Sequence, residues 1–350
     1  MLDAIASAKH VLMLEMYLFE SGRITTQFID AFKEAAERGV SIYLLLDDFG
    51  SHGLSDLDRI RLVHKNITIT YYNPLHYGKF RRNLFRDHRK IFIVDQQIAF
   101  VGGAGITDEF ITTNPATPGW RETMIQIQGE CIQDWISLFN EAWQVYSQQP
   151  LLLKDIDPDV QTQDKQSCRV VCATGRSRQG IKQSLIKRIR SSEQRVWLAT
   201  AYFLPSFKVR RALIRAAKRG VDVRLLLPGE KSDHPAVRHA GRRFYYSLLK
   251  SGVKIMEYQP RFLHQKVILC DQWVSIGSSN IDRWNFRWNL EANQEVEDSR
   301  FAQQVVEMFE KDYLESQRCD LEDWERRAWH SRFLEWFWGG VDRFLDRYIR

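Results

Sequence analysis

The chain has 350 residues, 44% hydrophobic and 27% charged, and its 50 Lys and Arg against 44 Asp and Glu leave a formal net charge of +6. That length carries two domains of ordinary size, and that balance excludes an intrinsically disordered chain. The positive excess points to anionic partners, a nucleic acid or an anionic membrane surface, while the lack of any apolar run of about 18 residues excludes a spanning helix.

In chain order, MLDAIASAKHVLMLEMYLF carries Asp3, Lys9 and Glu15 inside its apolar pattern. This is wrong for a signal peptide and predicts a helix end running into a buried strand. So abrupt a start predicts that further residues precede it. A helical pattern ending AAERGV (35–40) leads into a strand, SIYLLLD (41–47). Then come the basic and aromatic KFRRNLFRDH, the stretch HRKIFIVDQQIAFVGG (88–103), and WRETMIQI with Glu122. Residues 148–167, polar and with two prolines, read as a linker.

The same order then returns: VWLATAYFLP (196–205), a helical pattern ending AAKRGV (216–221), the strand DVRLLLP (222–228), HQKVILCDQWVSIGSS (264–279), and NLEANQEV with Glu291. Tyr17 and Tyr202 recur at matching places. Helices alternating with β-rich runs predict an α/β fold of two similar domains, each a mixed sheet flanked by helices, spanning 1–147 and 168–318. Residues 319–350 form a Trp- and Arg-rich carboxy-terminal segment. Within it Trp329, Phe333, Phe337, Val341, Phe344 and Tyr348 recur at helical spacing, as in an interfacial membrane helix or in a helix packed on the protein body. Gly339-Gly340 is expected to split it in two.

The duplicated stretch carries the chemistry. KIFIVD and KVILCD read as buried strands, so His88 shares a face with Lys90, and His264 with Lys266. Asp95 and Asp271 should face the other way, as supports rather than substrate contacts. A two-residue turn is expected at Gln96-Gln97 and at Gln272-Trp273. The small residues beyond, Gly102-Gly103 and Gly277-Ser278, let backbone amides approach an anion, and Ser278 and Asn280 add side-chain donors. Imidazole, lysine and polar donors suit a phosphate rather than a metal. The five cysteines, Cys131, Cys168, Cys172, Cys270 and Cys319, have no ligand or disulfide spacing and predict a reducing compartment.

HxKx4D in duplicate, closed by GSSN in the second copy, resembles the phospholipase D superfamily, and NLFRDHRKIFIVD and RFLHQKVILCDQWVSIGSSNIDRWNFRWNLEAN resemble the bacterial cardiolipin synthases without amino-terminal spanning helices. The resemblance implies one site built from both motifs across a pseudo-twofold interface. It implies a metal-independent, cofactor-free transfer through a phosphohistidine, with His88, Lys90, Asp95, His264, Lys266 and Asp271 as the catalytic set. His88 is expected to attack and His264 to serve as acid and base. Lys90, Lys266 and Asn280, with Gly103 and Ser278, would hold the phosphate, and Glu122 and Glu291 would orient the histidines. One departure stands out: the first motif has Gly105 where the second has Asn280.

The implied reaction moves a phosphatidyl group between two phosphatidylglycerols with release of glycerol; a hydrolytic phospholipase D and a metal-independent nuclease are the alternatives. The implied partners are anionic phospholipids at a membrane surface, bound peripherally on the cytoplasmic side of the inner membrane, with nucleic acid the disfavoured rival. Arg81, Arg82, Arg86, Arg242 and Arg243 are the candidate headgroup- or membrane-facing residues.

Overall fold

The computed structural model describes residues 1–78, 81–111, 118–153, 166–174 and 178–348, and the side chains of Arg178, Ser331 and residues 346–348 lie outside that description. Two mixed sheets repeat one strand order. The first runs Ile67–Tyr72, Ser41–Asp47, Val11–Met16, Lys90–Val94, Ile98–Gly102, Met124–Gln128. The second runs Lys254–Tyr258, Asp222–Pro228, Arg195–Thr200, Lys266–Cys270, Trp273–Gly277, Asn289–Glu297. It is extended by Ser316–Cys319 at one edge and Ser167–Thr174 at the other. Val11–Met16 in the first and Arg195–Thr200 in the second are central, each parallel to one neighbour and antiparallel to the histidine-motif strand.

Local sequence accounts for these elements. Helix Arg23–Glu37 buries Phe28, Ile29, Phe32, Ala35 and Ala36 on one face, and helix Phe207–Lys218 buries Val209, Ala212, Leu213 and Ala216. Each ends at a glycine in the left-handed region, Gly39 at φ 93° and Gly220 at φ 92°, where a side chain would be strained. Strands Val11–Met16 and Lys90–Val94 are buried along their whole length, so they read as continuous apolar runs.

The halves share a core. Helix Ile132–Tyr146 drives Trp135, Phe139 and Trp143, all fully buried, against the first sheet. Trp135 Nε1 donates to Gln294 Oε1 of the second half at 2.8 Å. Losing the Trp135 ring would remove about 3–5 kcal/mol of packing and loosen the contact between the two halves. Among the described residues no helix is long and apolar enough to cross a membrane. The expected linker falls mostly outside the described residues, and the edge strands begin at Ser167 and end at Cys319, one residue beyond each expected boundary of the second domain.

Candidate active site

Each histidine is held by the opposite half. His88 N–H donates to Leu290 O at 3.0 Å and His264 N–H to Arg121 O at 2.8 Å, so each histidine segment is stitched to the residue preceding the other half's glutamate. As a result His88 Nδ1 lies 3.0 Å from Glu291 Oε1, and His264 Nδ1 lies 2.5 Å from Glu122 Oε2. The glutamate following each motif in the chain therefore serves the histidine of the other motif. Both imidazoles line one cavity of about 410 Å³ with Lys90, Gly103 and Asn280. A larger cleft of about 570 Å³, between Gln128, Asp134 and Gln294, contains neither histidine nor lysine.

The lysines lie where strand alternation puts them. Lys90 Nζ donates to His88 O at 2.7 Å and stands 5.0 Å from the Tyr17 ring centre. Lys266 Nζ lies 3.3 Å from Glu122 Oε2 and 2.8 Å from His264 Nδ1. Burial dominates the electrostatics. It brings Lys90 down to about 7, and it lowers Lys266 against the pull of Glu122. Burial lowers His88 against the pull of Glu291, and burial with Lys266 and Lys90 holds His264 well below the usual histidine value. Both imidazoles are thus neutral near pH 7.

Asp95 and Asp271 face away from the cavity, as alternation predicts. Asp95 accepts from the backbone N–H of Lys9, His10 and Val11 at 2.8–2.9 Å, and Asp271 from those of Glu193, Gln194 and Arg195 at 2.9–3.0 Å. Their place in the catalytic set is therefore corrected: each staples the start of its half's central strand. The turns also begin one residue earlier than expected, because Asp95 at φ 49° and Asp271 at φ 53° take left-handed turn positions that aspartate tolerates, and Trp273 already pairs with Cys270 in the ladder. Asp271→Ala is expected to cost about 1–3 kcal/mol in a urea titration, with turnover per folded molecule changed less than about twofold.

Ser278 is corrected too. Its hydroxyl donates to Glu291, so it braces the orienting carboxylate rather than offering itself to a phosphate. Gly103 holds the matching place beside Glu122: a Cβ there would come within 2.3 Å of Glu122 Oε2. Asn280 is fully buried, and its Oδ1 accepts from Thr200 Oγ1 at 3.2 Å. Its Nδ2 lacks a protein partner, a donor left for a ligand. Gly105 cannot be its twin, since a Cβ would meet Leu18 Cβ and the Leu18 carbonyl at 2.8 Å. Gly105→Asn should cost about 1–3 kcal/mol by overpacking, measured by thermal unfolding, and Leu18→Ala should recover part of it.

Of the candidate surface arginines, Arg86 is buried and Arg242 and Arg243 are half-buried, each against a carboxylate. Arg86 is buried against Asp47 at 3.4 Å. Arg242 pairs with Glu257 at 2.8 Å, and Arg243 with Asp342 at 2.6 Å. Buried or half-buried carboxylates need cationic partners, and these arginines supply them. Arg81 and Arg82 are exposed; Lys79 and Phe80, in the same basic stretch, lie outside the described residues.

The cavity also recruits residues not anticipated as functional. Tyr17 packs edge-on to His88 with ring centres 4.8 Å apart, and Trp120 and Phe110 pack on His264 at 5.1 and 5.5 Å. Glu20, Glu109 and Asp233 form an acidic rim beside His234, with Tyr202 donating to Asp233. The one signal for these was the tyrosine repeated in EMYLF and TAYFL.

The chain matches the family model described as cardiolipin synthase, PLD-like domain, over residues 1–143 and 185–313. A probable cardiolipin synthase, YwiE, of Bacillus subtilis is 31% identical over 95% of this chain and 67% of its own length. Cardiolipin synthase A of Pseudomonas putida is 34% identical over 91% of this chain and 66% of its own. The chain spans about two thirds of the length of these curated relatives. Among solved structures, phosphatidylserine synthase of Haemophilus influenzae superposes with a TM-score of 0.73 at 12% identity, covering 98% of this chain and 90% of that one, a likeness of fold.

Proposed function

Because the chain belongs to the phospholipase D-like cardiolipin synthase family, we propose that it transfers a phosphatidyl group between two phosphatidylglycerol molecules at a membrane surface, releasing glycerol. The observation that carries this reading is the crossed pairing of His88 with Glu291 and His264 with Glu122 around one cavity. The cardiolipin synthases among its relatives suggest cardiolipin as the product. Peripheral attachment at the cytoplasmic side of the inner membrane belongs to the same proposal.

In the proposed cycle His88 attacks phosphorus through Nε2 while the bond from phosphorus to the glycerol oxygen breaks. His264, charged once the bound phosphate anion offsets Lys266 and Lys90, gives its Nε2 proton to that oxygen and becomes neutral, and glycerol leaves. The hydroxyl of the second phosphatidylglycerol then returns a proton to His264 and attacks phosphorus, and the phosphorus–nitrogen bond breaks to restore His88. Each ring is held at Nδ1 by a carboxylate, which leaves Nε2 for the chemistry. At His88, Nδ1 faces a carboxylate and so carries the proton, leaving a lone pair on Nε2. At His264, Nδ1 faces Glu122 Oε2 at 2.5 Å and so also carries a proton, and the further proton of the charged ring sits on Nε2. Lys90 and Asn280, which line the cavity, hold the nonbridging oxygens, where charge gathers in the transition state, while Lys266 braces Glu122 and His264.

The acidic rim of Glu20, Glu109 and Asp233 supports a polyol headgroup, whose hydroxyls donate to carboxylates, over a polyanionic nucleic acid, which the rim repels. The test is labelled phosphatidylglycerol in mixed micelles with EDTA, lipid products resolved. Cardiolipin and free glycerol in equal amounts are expected, at a rate EDTA leaves unchanged. Phosphatidic acid as the sole product would overturn the transferase reading, and cleavage of DNA at a comparable rate would overturn the lipid reading.

A further inference from the structure

We propose that the carboxy-terminal helix Trp329–Tyr348 is a docking face for an anionic phospholipid bilayer, and that it holds the mouth of the histidine cavity against that surface. The proposal deepens the reading above by naming the surface where lipid is met, and rests on it only for the identity of the lipid.

The helix is inverted relative to an ordinary surface helix. It runs unbroken through Gly339-Gly340, contrary to the expected split. Gly339 serves a close approach instead: its carbonyl accepts from Arg243 Nη1, and a Cβ there would lie 2.9 Å from Arg243 Cδ. The inner face carries two buried carboxylates, Glu335 4% and Asp342 6% exposed, beside Trp338, which packs on the core of the second half. The outer face is aromatic, with Trp329 78%, Trp336 67%, Phe344 58% and Phe333 53% exposed, and Phe337 and Leu345 beside them. A helix packed for stability alone would bury the opposite side, and a contiguous apolar patch of this kind marks a contact surface.

The inversion is locked by charge. Asp342 accepts from Arg243 Nη2 at 2.6 Å, from Arg283 Nη2 at 2.5 Å and from Trp284 Nε1 at 3.1 Å. Glu335 pairs with Arg327 at 2.7 Å and faces Arg242 at 3.6 Å. These partners are tied to the cavity. Arg242 and Arg243 end the helix that begins just after Asp233 and His234, and Arg283 and Trp284 lie between Asn280 and Asn285; all four of those flanking residues line the cavity. The aromatic face is thus fixed to two segments of the cavity wall.

The occupant follows from composition and charge. Trp, Phe and Leu on one face of a helix about 30 Å long, edged by exposed Arg332 and Arg343, suit the interface of an anionic bilayer, where indole rings sit at headgroup depth and guanidiniums meet phosphates. A second copy of the chain would bring the same arginines against each other.

The test compares the full chain with the combined variant Phe333→Ser, Trp336→Ser, Phe337→Ser in sedimentation with vesicles of equal phosphatidylglycerol and phosphatidylcholine. These side chains are exposed, so the fold should survive, and circular dichroism checks it. Vesicle affinity is expected to fall at least about tenfold, while turnover of a short-chain phosphatidylglycerol below its micelle concentration stays within about twofold. Unchanged vesicle binding overturns the proposal. So does a wild-type dimer in light scattering that the variant turns into a monomer, which would make the face a self-association surface. If the wild type binds vesicles through this face yet makes no cardiolipin, the docking proposal stands and the proposed reaction falls.

Discussion

Removal of either imidazole is expected to lower phosphatidyl transfer by about 10³-fold or more, but the two losses should differ in kind. With His88→Ala no nucleophile remains, and no substrate restores turnover. With His264→Ala the nucleophile and its Glu291 partner are intact, and what is lost is the proton for the leaving oxygen. A phosphatidyl ester of p-nitrophenol, whose leaving group needs no proton, should therefore still release nitrophenolate from His264→Ala in a burst and leave the phosphatidyl group on His88. Hydrolysis or transfer from that adduct should then be slow, since the base for the incoming alcohol is also gone. Trapped phospholipid on a peptide containing His88 is the readout. A burst from His88→Ala instead would reverse the roles. The shared cavity makes the experiment interpretable, because both histidines line it, one from each half.

Lys90→Met is the second large effect, an expected fall of about 10²–10³ in kcat, and it carries a pH dependence of defined sign. Burial lowers Lys90 to about 7, so its ammonium is lost as pH rises through that value. The alkaline limb of kcat/KM for the wild type should accordingly lie near 7, and the acid limb below the ordinary histidine value, because burial lowers His88. Lys90→Arg keeps its charge to higher pH and should move the alkaline limb upward even if the rate falls; an unmoved limb would assign that titration elsewhere. The same depression acts on stability. Between about 7 and 10.5 the unfolded chain holds the Lys90 proton and the folded chain does not, so stability should rise with pH across that window. A phosphate anion in the site would oppose this by favouring the charged lysine, and inorganic phosphate should raise the unfolding temperature most near pH 7.

Much of this was legible without coordinates. The period-two pattern of HRKIFIVD and HQKVILCD puts His88 and Lys90 on one face and Asp95 on the other, and the structure finds Asp95 capping Lys9, His10 and Val11. The duplicated order of elements reads directly as two sheets of one topology. The misassigned residues share a cause. Arg86, Arg242 and Arg243 look like surface charge because a sequence shows a side chain's type and not its partner; Asp47, Glu257 and Asp342 come from distant segments. Ser278 and Gly339 were misread for the same reason: a hydroxyl's acceptor and a glycine's close neighbour are both contacts made across the fold.

The sequence by itself determined what depends on local periodicity and residue chemistry: two α/β halves, a histidine and a lysine on one strand face in each, and a helix with an aromatic stripe. The tertiary structure decided what depends on contacts distant along the chain. It crossed Glu122 to His264 and Glu291 to His88, filled the place of an asparagine at Gly105 with Leu18, and turned the aromatic stripe outward by pairing Glu335 and Asp342 with arginines. The reason is physical. Backbone geometry repeats every two or 3.6 residues and is written in short windows, whereas burial, ion pairing and the protonation of a buried imidazole belong to groups brought together only when both halves close on each other.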